Sequence, residues 1–208
     1  MSSGSKDSTY QLGFHFDQRY CTGCQTCQIA CKDAHNLPEG VQWRQVNEFA
    51  DGGCIENDGV ITQNVRAWWL SLSCLHCKKP VCMTVCKPGA IRKRSEDGIV
   101  VLDQDKCIGC RRCVKACPYG AIQFNRLSRK ASKCDFCLED QLKGRTPACV
   151  SSCPLRVLTF GSLEDLQNQF GPGDLVEGMP DPALTEPSFV VTGHRDAVSR
   201  ISNKEEIL

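Results

Sequence analysis

Apolar positions in this chain come in short bursts, separated by tight runs of cysteine rather than by long periodic stretches. Residues 1–12 are largely polar and predict a mobile start, after which FHFDQRY (14–20) leads into CTGCQTCQIACK (21–32). Beyond that run, LPEGVQWRQVNEF (37–49) is extended in character, and DGG (51–53) and NDG (57–59) are turn signals. VITQNVRAWWLSLS (60–73) then reads as one strand, so the stretch from about 38 to 62 is expected to be an inserted β-hairpin. DGIVVLDQD (97–105) alternates as a strand does, and AIQFN (121–125) closes the same region. RLSRKASK (126–133) reads as a basic connector. FCLEDQLKGRTPAC (136–149) predicts a short helix ending near Gly144, and in VLTFGSLEDLQNQFG (157–171) Ser162 is placed to cap a helix N-terminus. Residues 171–187 are rich in Pro and Gly and predict an extended arm rather than a packed element. SFVVTG (188–193) predicts one edge strand, and NKEEIL (203–208) a polar end.

The cysteine runs between these bursts carry the chemistry. CIGCRRCVKACP (107–118) sets Cys107, Cys110, Cys113 and Cys117 at steps of two, two and three residues, with Pro118 after the last. That is the spacing of a bacterial-type iron–sulfur ligand run, whose first three thiolates converge on one cluster while the fourth reaches another. Cys117 is expected at the start of a helix facing away from the loop. Gly109 permits a backbone conformation that a side chain would block. FDQRYCTGCQTCQIACK (16–32) repeats LDQDKCIGCRRCVKACP (102–118), including the Asp-Gln and the Gly, and gives Cys21, Cys24, Cys27 and Cys31. Lys32 stands where the third run has proline. The second run, Cys74, Cys77, Cys82 and Cys86, has one longer step, and its proline is displaced by one place: CKPGAI against CPYGAI. The fourth run holds Cys134 and Cys137, then a long gap, then Cys149, Cys153 and Pro154.

Composition narrows the alternatives. The chain has 17 cysteines in 208 residues, about 8% and at the edge of the disulfide-scaffold range. An odd count, ligand-like spacings and the lack of a secretory signal before the first run argue against that scaffold. With 25 basic and 24 acidic residues the charge makes no case for nucleic acid, and no apolar run long enough to span a membrane occurs. Cys54 fits none of the four runs. His76 lies between Cys74 and Cys77, but a Rieske-like site needs two histidines in place of two cysteines and none is missing, so a structural or outer role is expected. Trp43, Trp68 and Trp69 read as core or cluster-shielding residues in preference to a docking patch. Arg92, Lys93, Arg94, Arg111, Arg112 and Lys115 crowd the middle of the chain, as a solvated face or as charge that raises cluster potentials.

Four groups of four cysteines imply four [4Fe–4S] clusters. Pairing of neighbouring runs joins Cys107, Cys110 and Cys113 to Cys86, and Cys74, Cys77 and Cys82 to Cys117. The outer runs then pair with each other: Cys21, Cys24 and Cys27 with Cys153, and Cys134, Cys137 and Cys149 with Cys31. Spacing fixes the sixteen ligands more firmly than this pairing. Zinc knuckles would account for a CxxC but not for the further cysteines. No phosphate loop, carboxylate pair or dinucleotide fingerprint accompanies the runs, and no cluster is left with an open iron, so electron transfer without catalysis is the economical reading.

CTGCQTCQIACKD (21–33), GVITQNVRAWWLSLSCLHC (59–77), KCIGCRRCVKACPYGA (106–121) and CVSSCPLRVLTFG (149–161) together resemble the four-cluster ferredoxin-like subunits of molybdopterin oxidoreductases, above all the iron–sulfur B subunits of the dimethyl sulfoxide reductase family. The likeness covers roughly residues 12–170. It implies a trimeric complex in which a membrane anchor oxidises menaquinol, this chain relays electrons, and a molybdopterin subunit reduces the terminal acceptor. It also supports pairing of the outer runs. Related nitrate reductase subunits have tryptophan for one third-run cysteine and a [3Fe–4S] cluster; Cys113 is intact here, which implies four cubanes. Related formate dehydrogenase subunits end in a transmembrane helix, which is missing here. Peripheral attachment at the cytoplasmic membrane through partners is implied, on either face, since the catalytic partner can carry such a subunit across as a passenger. The expected fold is α+β, with two interleaved ferredoxin-like modules: an outer one of residues 1–62 and 125–170, including the hairpin, an inner one of 63–124, and an arm of 171–208. A subunit of a soluble hydrogenase or flavin-linked oxidoreductase is the reading from another class, and a zinc-stapled scaffold a third.

Overall fold

The structure, a computed structural model, describes residues 10–198. The end segment NKEEIL and all but the last three residues of the expected polar start lie outside that range. Gln11 and Leu12 are buried, and Leu12 already belongs to a strand.

Short bursts make short elements. β1 (Leu12–Asp17) is buried along all but its last residue, and α1 (Thr26–Ala34) carries Cys27 and Cys31. β2 (Gln45–Asp51), β3 (Cys54–Asn57), β4 (Val60–Gln63) and β5 (Arg66–Leu72) follow. The middle of the chain holds α2 (Val81–Thr84), β6 (Ile91–Lys93), β7 (Val100–Leu102), α3 (Arg112–Ala116) and β8 (Gln123–Asn125). Then come β9 (Lys130–Ser132), α4 (Leu138–Leu142), α5 (Ala148–Ser151), β10 (Leu158–Ser162), α6 (Leu163–Phe170) and β11 (Phe189–Thr192). Among the described residues the longest helix has nine residues, too few to hold its shape alone in water. Tertiary contact has to fix these elements.

Two arrangements supply that contact. β1 is the middle strand of a three-stranded sheet, antiparallel to β10 and parallel to β11, so the expected edge strand is present. The helices of the cysteine runs pack in pairs, α1 against α5 and α2 against α3. Phe14, Phe16, Trp68, Leu70, Ile99 and Phe136 form the main apolar core, with Phe14 and Phe136 stacked at 4.1 Å. Ser162 caps α6 as expected, its hydroxyl accepting from the Asp165 N–H at 3.0 Å. The result is a small mixed α/β protein. No helix among the described residues is long and apolar enough to cross a membrane.

Four local expectations need correcting. The stretch 60–73 is two strands: β2 pairs with β5 from Gln45–Leu72 to Asp51–Arg66, and β3 with β4 beyond them. The break falls at Asn64, whose side-chain oxygen takes the Gly53 N–H at 2.8 Å and turns the backbone there. The basic connector 126–133 is the turn and return strand of a β8–β9 hairpin. Asn125 makes that turn by accepting from Leu127 N at 2.9 Å and Ser128 N at 3.2 Å. Residues 171–187 have little regular structure but are packed: Val176 and Thr185 are buried, and Lys78 and Lys79 donate their N–H groups to the carbonyls of Glu186 and Thr185. Finally, Cys117 does not start a helix. It is the C-cap of α3, held at φ −75° and ψ 113° because the residue before a proline is pushed out of the helical region. Without a proline, α1 runs on through Cys31 to Ala34, and Lys32 donates to Pro38 O at 2.8 Å and Val41 O at 3.3 Å.

Candidate metal centres

All four cysteine runs share one backbone device. The residue before the second cysteine of each C-x-x-C has a left-handed conformation: Gly23 (φ +67°), His76 (φ +43°), Gly109 (φ +69°) and Phe136 (φ +68°). This reverses the backbone between the two thiols, so that both can face one point. Glycine does it at no steric cost in the first and third runs. In the second and fourth, core packing supports the strain: His76 and Phe136 are both fully buried and meet edge to face at 5.2 Å. His76 Nδ1 accepts from Val100 N at 3.0 Å, and burial, with Lys133 and Lys93 nearby, holds its pKa well below the usual imidazole value. It is a neutral structural residue, as expected.

The reversals bring together cysteines that are far apart in sequence. Cys21, Cys24, Cys27 and Cys153 line one cavity, with Phe16 and Leu158 among its apolar walls. Cys74, Cys77, Cys82 and Cys117 line a second, between Leu75, Val100 and Ile122. Cys107, Cys110, Cys113 and Cys86 line a third, against Ile91 and Leu102. All three are walled by four thiols and apolar side chains, so one kind of occupant suits all. Cys31, Cys134, Cys137 and Cys149 form the remaining neighbourhood: Cys31 feels the charge of Cys149 and Cys137, and Cys134 that of Cys31. His35 Nε2 lies 3.2 Å from Cys137 Sγ. Cys54 sits apart and exposed on β3.

The interior is hostile to free thiolates. Burial pushes the thiols of Cys31 and Cys82 up to about 12, and those of Cys77 and Cys137 to about 11. It nevertheless encloses cations. Arg44 is 1% exposed and makes its hydrogen bonds to Ser71 and Ser73. Lys133 is 4% exposed; its ammonium donates to Cys134 O at 2.6 Å and to Val100 O. Cations held by neutral partners in a thiol-lined interior fit an anionic occupant, since buried charge needs opposing charge. Iron-bound cysteine supplies that, because a coordinating thiol is deprotonated outright. The residues fit [4Fe–4S] clusters.

The aromatic residues shield rather than dock. Trp68 is 1% exposed in the core. Trp43 packs where Cys74 and Cys134 approach, donating to Ser132 Oγ at 2.6 Å. Trp69 covers the Gly23 turn and donates to Glu48 Oε2 at 3.0 Å. Of the basic residues singled out in the sequence, Arg111 and Arg112 are exposed, with the Arg111 guanidinium 3.8 Å from the Phe124 ring centroid. Sequence reasoning missed Arg44 and the burial of Lys133.

Thiol quartets around apolar-walled cavities on a small mixed α/β scaffold define a ferredoxin-like iron–sulfur protein. Comparison with known families agrees: a 4Fe-4S dicluster domain matches residues 65–163 and a 4Fe-4S binding domain matches residues 20–34. The protein is 43% identical to the B chain of anaerobic dimethyl sulfoxide reductase from Escherichia coli K12, over 96% of its own length and 100% of that relative. It is 39% identical to the corresponding B chain from Haemophilus influenzae, over 90% and 91% of the two sequences. Protein NrfC of Escherichia coli K12 is 36% identical over 74% of this sequence and 67% of its own. This protein therefore belongs to the family of anaerobic dimethyl sulfoxide reductase B subunits, iron–sulfur electron-transfer subunits that are not catalytic alone.

Proposed function

We propose that all sixteen run cysteines are ligands, and that they hold four [4Fe–4S] clusters in the quartets described above. On this reading the chain is two interleaved two-cluster modules. Residues 1–62 and 125–170 form the outer one and 63–124 the inner one, followed by a C-terminal arm, 171–208. The single observation that carries it is the convergence of cysteines from different runs on apolar-walled cavities, with the fourth thiol of each drawn from the partner run. Each cluster, when bound, supplies a one-electron site; the chain's part is to fix the thiols, exclude water and set the surrounding charge.

The relay so formed takes electrons from a quinol-oxidising membrane-anchor subunit and delivers them to a molybdopterin catalytic subunit. The chain sits peripherally on the membrane through those partners. The likeness to reductase B chains over nearly all of both sequences supports these partners over a soluble hydrogenase or flavoprotein.

Anaerobic iron and acid-labile sulfide analysis of the purified chain tests the ligand reading. About sixteen irons per chain are expected, four per cubane, with interacting [4Fe–4S] signals in electron paramagnetic resonance after reduction. C110S should lose or convert one cluster. Near-stoichiometric zinc without sulfide would overturn the proposal, and an unchanged C110S spectrum would remove Cys110 from the ligand set. Co-purification with a molybdopterin subunit and a hydrophobic anchor tests the partners; recovery with a flavoprotein instead would refute them.

A further inference from the structure

Among the described residues Arg44 is the largest charged side chain fully enclosed in the core. It stands in a bend just before β2, with no sequence signal of its own. Its Nη1 donates to Ser71 Oγ at 3.1 Å and Ser71 O at 3.4 Å, and its Nη2 to Ser73 Oγ at 3.0 Å. Its Nε is buried without a partner, and the guanidinium carbon lies 5.0 Å from the centroid of Phe14. All of these contacts are neutral. A guanidinium does not deprotonate in a protein, and enclosing one without opposing charge is costly.

The opposing charge that bears most on it comes from cysteines. Ser71 Oγ, which accepts from Arg44, lies 3.5 Å from Cys27 Sγ. Burial works against the charged guanidinium, but the negative charge of Cys149, Cys27, Cys134 and Cys31 more than offsets it and leaves the pKa above its ordinary value. Cys27 belongs to the quartet of Cys21, Cys24 and Cys153. The other three, with Cys137, make up the neighbouring quartet. Arg44 therefore stands at the seam between the two.

We propose that Arg44 is a positioning residue that fixes a positive charge between these two quartets, raising the reduction potential of the clusters held there. The inference rests on the cluster reading above. Reduction of a [4Fe–4S] cluster adds one electron and one unit of negative charge, with no bond made or broken. A cation already in place stabilises the reduced form and eases the repulsion between two reduced neighbours. Surface charges such as Arg111 and Arg112 act on clusters too, but salt screens them, whereas an enclosed charge is screened far less.

The test compares the full-length chain with R44K and R44M, each purified anaerobically with its clusters. Iron and sulfide are counted, and redox titrations are followed by electron paramagnetic resonance at low and high salt. Wild type and R44K are expected to agree within threefold in every reduction equilibrium. R44M is expected to load the same iron and to shift two of its components by tenfold or more toward the oxidised form, 59 mV for a one-electron couple, at either salt concentration. R44M with full iron and unshifted potentials would overturn the proposal, as would R44K shifted as far as R44M. Should R44M fail to load, R44K decides: loading at wild-type potentials supports a need for charge, while failure of both replaces the proposal with a packing role. Wild-type protein without iron and sulfide would refute the cluster reading itself, an outcome distinct from all of these.

Discussion

One added methyl group at Gly109 should do far more damage than the same change at Gly120. Both glycines are left-handed, with φ of +69° and +62°, and either alanine carries a backbone penalty of about 1–2 kcal/mol. The surroundings differ. A Cβ at Gly120 meets nothing within 4 Å, whereas at Gly109 it would lie 2.1 Å from the carbonyl oxygen of Arg129. That oxygen cannot swing aside as a side chain could, because it belongs to the β8–β9 hairpin. The hairpin is pinned by Lys130 Nζ donating to Gln104 O at 2.6 Å and Gln104 Nε2 donating to Ala131 O at 3.0 Å. Overpacking against such a group costs about 1–3 kcal/mol more, so G109A should lose about 2–5 kcal/mol in total. At roughly 2–4 °C per kcal/mol for a chain of this size, its melting point should fall by about 4–20 °C, against about 2–8 °C for G120A. The loop that moves carries Cys107 and Cys110, so G109A should also lose about a quarter of the iron, while G120A keeps it all. Circular dichroism melts and iron analysis of the two variants side by side are sufficient. Equal melting points and full iron in both would show that the close approach to Arg129 does not hold the loop.

Two further changes probe the scaffold. His15 is buried between Thr159 and Thr192, at 3.2 and 2.9 Å, and stacks on Phe170; burial lowers its pKa. The unfolded imidazole takes up a proton as pH drops below about 6.5 while the folded one resists, so this contribution is present above that pH and lost as pH falls toward the folded value. Denaturant midpoints at pH 7.5 and 5.5 should converge in H15Q relative to wild type, and parallel midpoints would refute the assignment. S162A removes the cap on α6 and should cost about 1 kcal/mol with iron content untouched; a loss of iron would mean that α6 supports a cysteine quartet directly.

What was legible in the sequence was whatever short-range spacing dictates. Thiols two and three residues apart can reach one point only if the backbone reverses between them, and Gly23 and Gly109 advertise that reversal. His76 and Phe136 perform it without advertisement, because packing rather than intrinsic preference holds their left-handed backbones. The β8–β9 turn escaped for a related reason: Arg129 takes φ +55° where a turn reading looks for glycine. Cys117 was placed at the wrong end of its helix, although Pro118 carried the signal that the helix stops there. Arg44 and Lys133 had no local signal at all. A lone arginine in an extended stretch and a lysine in a basic run look like surface residues until the rest of the fold closes over them.

The central position of β1 has a consequence for how the protein is made. β1 leaves the ribosome long before β10 and β11, the strands that complete its sheet. The cavity of Cys21, Cys24 and Cys27 waits for Cys153, and that of Cys74, Cys77, Cys82 and Cys117 waits for Thr185. At ordinary elongation rates that wait is on the order of ten seconds. During it the thiols of the first run lack the walls that later shelter them. Both cavities are therefore completed by segments made late, and their thiols need reducing surroundings until those segments arrive.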